Sequence, residues 1–392
     1  MAKSTTRAPK QKPPTKPRPD FPLFPHARGY WAKKVRGKLE YFGKIVDDPK
    51  GEAAINEWLA ERDNLLAGHA RRGTREGLIV RDLCNRFLTA KQTLVDSFEL
   101  SLRTWQDYHA TSERIVKTFG KNRLVADLAT DDFEAMRAAL GKNWGPVAVG
   151  NEINRVRVVF KYGYDSGLID RPMRYGPGFK RPSKKTLRIA RQEKGEKMLE
   201  AKQLKQLIDA AANPLKAMIL LGLNCGFGNA DVGVLPIRAL NLKTDWVNFP
   251  RPKTGINRRC PLWPETVKEL KAAIAERPQP KDKADAGLVF ITKYGLRWAK
   301  DTRDNPVAKE FVKLLKEKKL HRTGLGFYLL RHVFETIGGE SKDQVAVNAI
   351  MGHADASMAG VYRERISDER LKTVTDRVRA WLWPKKAKGG LS

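Results

Sequence analysis

The chain has 392 residues, of which 75 are Lys or Arg and 44 are Asp or Glu, so its net charge is +31. The length predicts two or three domains, and the charge indicates a polyanionic partner, with nucleic acid as the first candidate. The longest apolar run, 217–223, is too short to span a membrane, and Cys84, Cys225 and Cys260 are too few and too far apart for a disulfide framework or a zinc site.

The amino-terminal part divides into a tail and a small module. Residues 1–20 are rich in Lys and Pro, so we expect disorder and no signal peptide, and hence a cytoplasmic protein. Residues 21–70 alternate aromatic and basic side chains around Arg36-Gly37 and then continue into a helical segment from Glu52 to Leu66. This pattern predicts a β-hairpin and a helix that could lie on DNA, followed by a basic linker at 68–77.

Residues 78–170 repeat apolar positions at helical spacing, which predicts an all-α domain of about four helices. One of these helices begins at Asp131 and ends at Gly141. Arg155, Arg157 and Lys161 are available to contact DNA, although a merely solvated helix face explains them equally well.

Residues 171–197 contain three prolines, three glycines and ten basic residues, so we expect a linker that builds no core. Lys180, Arg181, Lys184 and Lys185 can follow a phosphate backbone there. The alternative is a linker without contacts.

A last domain, 198–385, alternates helical segments with short strands. The glycine-rich segment after Cys225 follows a helix and lacks the G-x-G-x-x-G spacing, so it does not indicate nucleotide binding. Strands are expected around a turn at 253–255, at a sheet edge because of Pro250 and Pro252, and again at 288–292. Helices are expected at 202–212, 215–223, 266–274 and 309–318.

The segment 323–365 carries an arginine, a histidine and a tyrosine in order. Its pattern predicts a helix that ends at Gly338-Gly339, a second helix capped by Asp343 and ended by Gly352, and a third capped by Ser357. Arg331, His353 and Tyr362 lie on or beside these helices. If they converge, the phenol can attack a phosphate that the other two hold, since a phenol with a pKa near ~10 needs neighbouring cations to react at neutral pH.

The final helix, after Ser367, has an apolar stripe at Leu371, Val374, Val378 and Leu382. We expect this stripe to pack into the core of its own domain. Docking on a neighbouring subunit is the alternative.

Together these segments resemble the tyrosine recombinase (phage integrase) family over about 78–383. The most specific matches are LLRHVFET, around the second catalytic arginine, MGHADASMAGVY, in which a tyrosine follows G-H by nine residues, and KTGINRRCPL, around a catalytic lysine. The amino-terminal module is similar to the family's arm-type DNA-binding modules. The resemblance implies a mostly α, α+β protein with a helical (SAM-like) core-binding domain and a mixed α/β catalytic domain.

The resemblance also implies a role for each candidate. Tyr362 would form a 3′-phosphotyrosyl link, Arg331 and His353 would bind the phosphate oxygens, and Lys253 would protonate the leaving oxygen. Neither a metal nor a nucleotide cofactor is implied.

Two positions depart from the family pattern. Gly228 stands where the first catalytic arginine is ordinarily found, although Asp231 matches the acidic position of that motif, and Tyr328 replaces a histidine. Asn229 or one of the nearby Arg258, Arg259 and Arg297 could reach the phosphate instead, and Tyr328 could donate a hydrogen bond. Loss of one such donor typically costs about 10² to 10³ in rate.

The sequence therefore predicts a site-specific integrase that acts on double-stranded DNA at the nucleoid as a homotetramer. A DNA-binding protein that kept the fold and lost the chemistry is the main alternative. Relaxation of DNA in the manner of type IB topoisomerases is a further one.

Overall fold

A computed structural model describes residues 15–66, 77–299, 304–355 and 357–384. The chain divides into two compact units between Pro182 and Ser183, apart from Ser101–Arg103, which group with the second unit. The predicted tail at 1–20 and the linker at 68–77 lie largely outside the described residues. The fold is mostly helical with two small sheets, which confirms the predicted α+β class.

The first unit opens with an antiparallel sheet of order β1-β2-β3. Arg36 and Gly37 both have positive φ and make the tight turn between β2 and β3, so the predicted hairpin is confirmed, with one strand more than expected. Helix α1 covers the face that carries Trp31 and Phe42, because these apolar side chains need a partner layer. The elements are β1 Phe24–His26, β2 Tyr30–Val35, β3 Lys38–Lys44 and α1 Glu52–Leu66.

Four helices follow around an aromatic core, as predicted. They are α2 Val80–Asp96, α3 Leu102–Phe119, α4 Thr130–Asn143 and α5 Pro146–Asp165.

The expectation that 171–197 builds no core is wrong for its first half. Phe179 is fully buried, with its ring centroid 5.3 Å from that of Phe133, and Tyr175 stacks on it at 5.7 Å. The prediction rested on the high content of basic residues, proline and glycine, and it gave too little weight to these two aromatic side chains. The second half forms helix α6, Lys184–Gln192, which Ser183 caps.

The second unit is built around α8, which is buried on every side from Ala217 to Cys225. A helix that is apolar all round belongs in the centre of a domain, and α8 packs against α7, α10, α11, α12 and α15. Its helices are α7 Ala201–Ala210, α8 Leu215–Cys225, α9 Asn229–Gly233, α10 Pro264–Ala275, α11 Pro306–Glu317, α12 Leu329–Gly339, α13 Gln344–Met351, α14 Met358–Tyr362 and α15 Asp368–Leu382.

An antiparallel sheet of order β4-β5-β6 lies beside these helices, with β4 Leu240–Asn241, β5 Trp246–Asn248 and β6 Arg259–Pro261. Residues 249–258 reverse the chain between β5 and β6, as predicted. Pro250 and Pro252 lie in this loop and not on an edge strand. The predicted strand at 288–292 is absent, since Leu288 and Ile291 make only isolated bridges, to Pro236 and Arg297.

Two predictions concern the carboxyl-terminal helices. The apolar stripe of α15 packs into the core of its own domain, as predicted, with Leu371, Val374 and Val378 at most 3% exposed. This face is therefore not available to dock on a neighbouring subunit. Helix α12 ends at Gly339, as predicted, although neither glycine of the pair has the left-handed φ of a C-terminal cap. Gly338 packs closely against α15, since a Cβ there would lie 3.3 Å from Val374.

No described helix is both long and apolar enough to cross a membrane.

Candidate functional site

Arg331 is held where two helices end. It is 2% exposed and donates from Nη1 to the Gly226 carbonyl at 2.7 Å and from Nη2 to the Met351 carbonyl at 2.8 Å. These carbonyls close α8 and α13, and each helix ends at a glycine with left-handed φ, Gly226 and Gly352. Carbonyls at a helix C-terminus lack intrahelical donors and carry partial negative charge, so they suit a buried guanidinium.

His353 follows Gly352 directly and contacts Arg331. Its Nε2 lies 2.8 Å from Arg331 Nη2, and its Nδ1 lies 3.3 Å from Asn348 Oδ1. A guanidinium only donates, so Nε2 accepts and the ring proton is on Nδ1. Burial first, and then the charge of Arg331, lower the pKa of His353. The imidazole is therefore neutral while this contact lasts.

The loop between β5 and β6 folds onto the same glycine. Arg251 Nη1 donates to the Gly352 carbonyl at 3.2 Å, and Thr254 Oγ1 does so at 3.5 Å. The loop is closed by a hydrogen bond from the Arg251 N–H to the Ile256 carbonyl at 2.8 Å. Lys253 is at its exposed tip. The loop therefore brings Lys253 to the side of the domain that holds Arg331 and His353.

Sequence reasoning missed Arg251. In the sequence it is one basic residue among many, and nothing in its spacing indicates that its loop packs against Gly352.

Arg258 and Asp231 form a buried pair beneath the site. Asp231 accepts from the Gly228 N–H at 2.6 Å and from Arg258 Nη2 at 3.0 Å. Arg258 also donates from Nε to the Phe249 carbonyl at 2.9 Å, and its guanidinium lies 4.4 Å from the centroid of the Phe227 ring. Its Nη1 is buried and has no partner among the described residues.

Tyr328 occupies the space beside Gly228. A Cβ on Gly228 would lie 3.3 Å from Tyr328 Cε2. The Tyr328 ring is 47% exposed and packs edge-on against His332 at 5.5 Å. Asn229 donates to Asn305 Oδ1 at 3.3 Å. A Cβ at position 228 would therefore require the tyrosine ring to shift by a few tenths of an ångström.

Tyr362 ends the short helix α14. Ser357 caps this helix, as predicted, by accepting from the Gly360 N–H at 3.2 Å. Asp355 binds both Ser357 and Arg363, and these hydrogen bonds, that from Ser357 first, lower the pKa of its carboxyl to about 2. Tyr362 is 76% exposed and makes no hydrogen bond or ring contact among the described residues.

An open groove of about 660 Å³ runs between the hairpin loop, α13 and the segment around α14. His353 lines it, and so do Gly360 and Arg363. Tyr362 therefore belongs to a segment that borders the same groove as the histidine, although the phenol itself does not touch Arg331 or His353.

Several predicted contact residues are engaged elsewhere. Arg155 pairs with Asp107 and Glu152, Arg157 donates to the Phe179 carbonyl, and Lys161 pairs with Asp165. Arg259 pairs with Asp368 and lies over the Trp246 ring, and Arg297 pairs with Asp285.

Four basic residues around the division between the units are exposed. They are Lys180, Arg181, Lys184 and Lys185. Among the described residues, no hydrogen bond or ion pair is made by the side chain of any of the four. The Arg181 side chain lies near Gly150.

Within the described ranges, no group of three or more His, Cys, Asp or Glu side chains is arranged to hold a metal ion.

Comparisons with known proteins agree on the fold. Residues 197–368 match the family described as the phage integrase family. A lambda integrase tetramer bound to a Holliday junction is 16% identical, with 90% of this chain and 98% of that chain covered and a TM-score of 0.54. A Tn1549 transposon integrase in complex with transposon right end DNA is 15% identical, with 77% and 100% covered and the same TM-score of 0.54.

No curated protein sequence matches the chain significantly. The structural likenesses, at these identities, describe a shared fold. The family match covers the helices and the hairpin that surround Arg331, Gly352 and His353, so residues 197–368 of this chain form a domain of the phage integrase, or tyrosine recombinase, family.

Proposed function

We propose that this protein is a site-specific DNA recombinase that cuts and rejoins DNA through a tyrosine. The observation that carries the proposal is the convergence at Gly352, where the Arg331–His353 pair and the Lys253 loop meet. A basic site of this kind suits a phosphodiester, and the family match supports recombination as the reaction.

The chemistry follows from the side chains available. The Tyr362 hydroxyl loses its proton to solvent as its oxygen attacks the scissile phosphorus, the bond from phosphorus to the 5′ oxygen breaks, and a 3′-phosphotyrosyl link forms. Lys253 gives a proton to the leaving oxygen, which becomes a free 5′-hydroxyl. A hydroxyl from another strand then reverses these steps. The covalent link conserves the bond energy, so this chain's residues need no nucleotide to drive rejoining.

Arg331 stabilises the negative charge that grows on the non-bridging oxygens. It has five N–H groups, of which the three contacts described above use three. A phosphate oxygen that competes for Nη2 would release His353 Nε2, and the imidazole could then take up a proton and donate to the phosphate. Preorganised donors of this kind are a large source of rate enhancement.

DNA binding outside the catalytic domain is part of the proposal. The open face of the β1-β2-β3 sheet carries three rings, of which Tyr41 is the middle one, with its centroid 5.2 Å from that of His26 and 5.7 Å from that of Tyr30. Exposed Lys34 and Lys44 lie on strands of the same sheet. Such a surface suits a DNA backbone, and it supports an arm-type DNA-binding role.

We also propose assembly on DNA. A lambda integrase of similar fold is described as a tetramer on a Holliday junction, and another as a dimer on a core site. Recombination between two duplexes needs four strand cuts, for which a homotetramer supplies one tyrosine each.

A second candidate function is DNA binding without cleavage. It is favoured by one observation, the absence of an arginine at position 228, where Gly228 lies against the Tyr328 ring. Both candidates bind DNA and differ only in covalent chemistry.

The test uses nicked suicide duplexes that tile the genomic DNA on either side of the coding sequence. If the proposal is right, the protein forms a denaturation-stable adduct with one of them, and Tyr362→Phe forms none. Shifted DNA without an adduct on any duplex would establish the binding-only candidate instead. Relaxation of plasmids with adducts, but without strand exchange between two duplexes, would favour a topoisomerase-like activity.

A further inference from the structure

We propose that Arg251 is a catalytic residue that supplies the second guanidinium of the phosphate pocket, in place of the arginine missing at Gly228. This inference rests on the proposed recombinase function. It assigns a role to a residue that the family pattern does not mark.

The residues that sequence reasoning offered as substitutes have other partners. Arg258 is 4% exposed and bound by Asp231 and the Phe249 carbonyl. Arg259 pairs with Asp368 at 2.7 Å. Asn229 donates to Asn305.

Arg251 differs from these residues in its position and in having fewer hydrogen-bond partners. It is half-buried at the base of the Lys253 loop, and its guanidinium makes one hydrogen bond among the described residues, to the Gly352 carbonyl. No carboxylate of the described residues pairs with it. Four of its five N–H groups therefore stay available to an incoming phosphate.

Its charge acts on both neighbours in the site. The positive charge of Arg251 contributes, after burial, to lowering the pKa of Arg331, and it also contributes to lowering the pKa of His353. Arg251 therefore lies close to both side chains, and it lies against Gly352 beside Arg258, since a Cβ on Gly352 would be 3.0 Å from Arg251 Cβ and 2.8 Å from Arg258 Cδ.

The arginines around Gly352 form a cluster with excess positive charge, which favours the binding of an anion. Arg251 and Arg258 lie against Gly352, and Arg331 binds the Gly226 and Met351 carbonyls. Among the described residues, Asp231 is the one carboxylate that an ion pair joins to any of these arginines. Arg258 Nη1 is buried without a partner beside them. Like charges at close range repel, and a phosphate group would relieve that repulsion and accept from the free N–H groups.

In the reaction, Arg251 would donate to a non-bridging oxygen from the hairpin side while Arg331 donates from the α12 side. Two guanidinium groups would then stabilise the charge of the pentavalent transition state. Since Arg251 and Lys253 share one loop, closing that loop on DNA would position both.

The test measures the rate of adduct formation under single-turnover conditions, on a nicked duplex with which the wild-type protein forms an adduct. Arg251→Gln should be slower by about 10² to 10³, the usual effect of losing one donor to a transition-state oxyanion. Arg277→Gln is the matched control, because Arg277 is also half-buried and also donates from Nη1 to backbone carbonyls, at Ala286 and Leu288. It should react at the wild-type rate.

A second arm adds Gly228→Arg to the wild-type protein and to Arg251→Gln. If Arg251 already fills the role, the added arginine accelerates the Arg251→Gln protein more than the wild type. Equal gains in both backgrounds, or an Arg251→Gln protein as fast as wild type, would overturn the inference. A wild-type protein that forms no adduct on any duplex would instead refute the proposed function, so the two failures are distinguishable.

A third measurement does not depend on cleavage or on the target site. The pKa of His353, followed by NMR, should rise in Arg251→Gln, because a nearby positive charge is removed, and should stay unchanged in Arg277→Gln. An unchanged pKa in Arg251→Gln would contradict the geometry on which the inference stands.

Discussion

The contact between Arg331 and His353 sets the resting state of the site. Arg331 Nη2 donates to the imidazole Nε2, and the carbonyls of Gly226 and Met351 hold the guanidinium in place. The imidazole is thus kept neutral beside a permanent cation. Under the proposed function, a phosphate that enters the site would change both the partner of Arg331 and the protonation state that His353 favours.

His353 should make folding stability depend on pH in a predictable direction. Its pKa in the folded protein is lowered by burial and by Arg331, so below its ordinary value of about 6.5 the unfolded chain binds more protons. Stability from this group is present above that pH and is lost as the pH falls. Denaturant unfolding between about pH 7.5 and 5.5 should therefore show a smaller loss of stability for His353→Gln than for wild type.

His321→Gln, which changes an exposed histidine in the same unit, is the control and should follow the wild-type pH profile. His332 has a pKa lowered in the same direction, chiefly by burial, so it contributes to the wild-type slope and is left unchanged in both variants. A His353→Gln profile parallel to wild type would contradict the assigned environment.

At the scale of single residues, the sequence indicated the site through order and spacing. Arg331 and His353 were predicted and do meet, 22 positions apart in the chain. Arg251 was not predicted, since its contact with Gly352 spans 101 positions and depends on how a loop packs. Arg155 and Arg157 were predicted as DNA contacts, but Asp107 on another helix pairs with Arg155, and the Phe179 carbonyl in a distant loop accepts from Arg157.

Among the elements, the crossing of α8 and α12 positions the site. Gly222 on α8 lets Leu330 of α12 approach, because a Cβ there would lie 2.8 to 2.9 Å from the leucine side chain. Arg331 is the next residue along α12. The close approach of these helices therefore brings Arg331 to the carbonyl end of α8.

Gly222→Ala should destabilise the domain by about 1 to 3 kcal/mol, since overpacking a tight helix crossing forces side chains and backbone to shift. Gly339→Ala, near the end of α12, is the control, because its Cβ would meet only Gln344 at an ordinary 3.7 Å. Urea unfolding measures both. Equal stabilities of the two variants would show that α8 and α12 do not approach as closely as described.

Helices were more predictable than strands, for a physical reason. The apolar periods of α8, α12 and α15 were visible because each helix buries a long face. The segment 288–292 looked like a strand because it is apolar, yet it is buried by packing with only isolated bridges. The end of α12 at Gly338-Gly339 was predicted correctly, but the left-handed cap was not formed, since a glycine that packs closely against Val374 looks the same in sequence as a glycine that caps a helix.

For the whole molecule, the net charge of +31 predicts strong electrostatic attraction to DNA. The charge is not uniformly available, because many arginines pair with carboxylates. Exposed cations at Lys180, Arg181, Lys184 and Lys185 are the better candidates for backbone contact. The sequence indicated the partner class from the total charge, and the structure was needed to separate paired from exposed cations.

The logarithm of DNA affinity falls linearly with the logarithm of salt concentration. Changing these four residues to glutamine should make that slope less steep, by about 0.9 for each phosphate contact that is lost. Arg157→Gln is the control, because Arg157 donates a hydrogen bond to the Phe179 carbonyl. This substitution should reduce the stability of the protein and leave the salt slope unchanged. DNA titrations between about 50 and 200 mM salt give both slopes. A slope that changes with Arg157→Gln and not with the fourfold variant would reverse this assignment.

The measurement that tests the central claim most directly is peptide mapping of the covalent DNA adduct. We expect the wild-type protein, trapped on a nicked duplex from its own flanking DNA, to carry the nucleotide on the peptide that contains Tyr362, joined through a 3′-phosphate. A nucleotide on Tyr328, on any other residue, or on none would contradict the account.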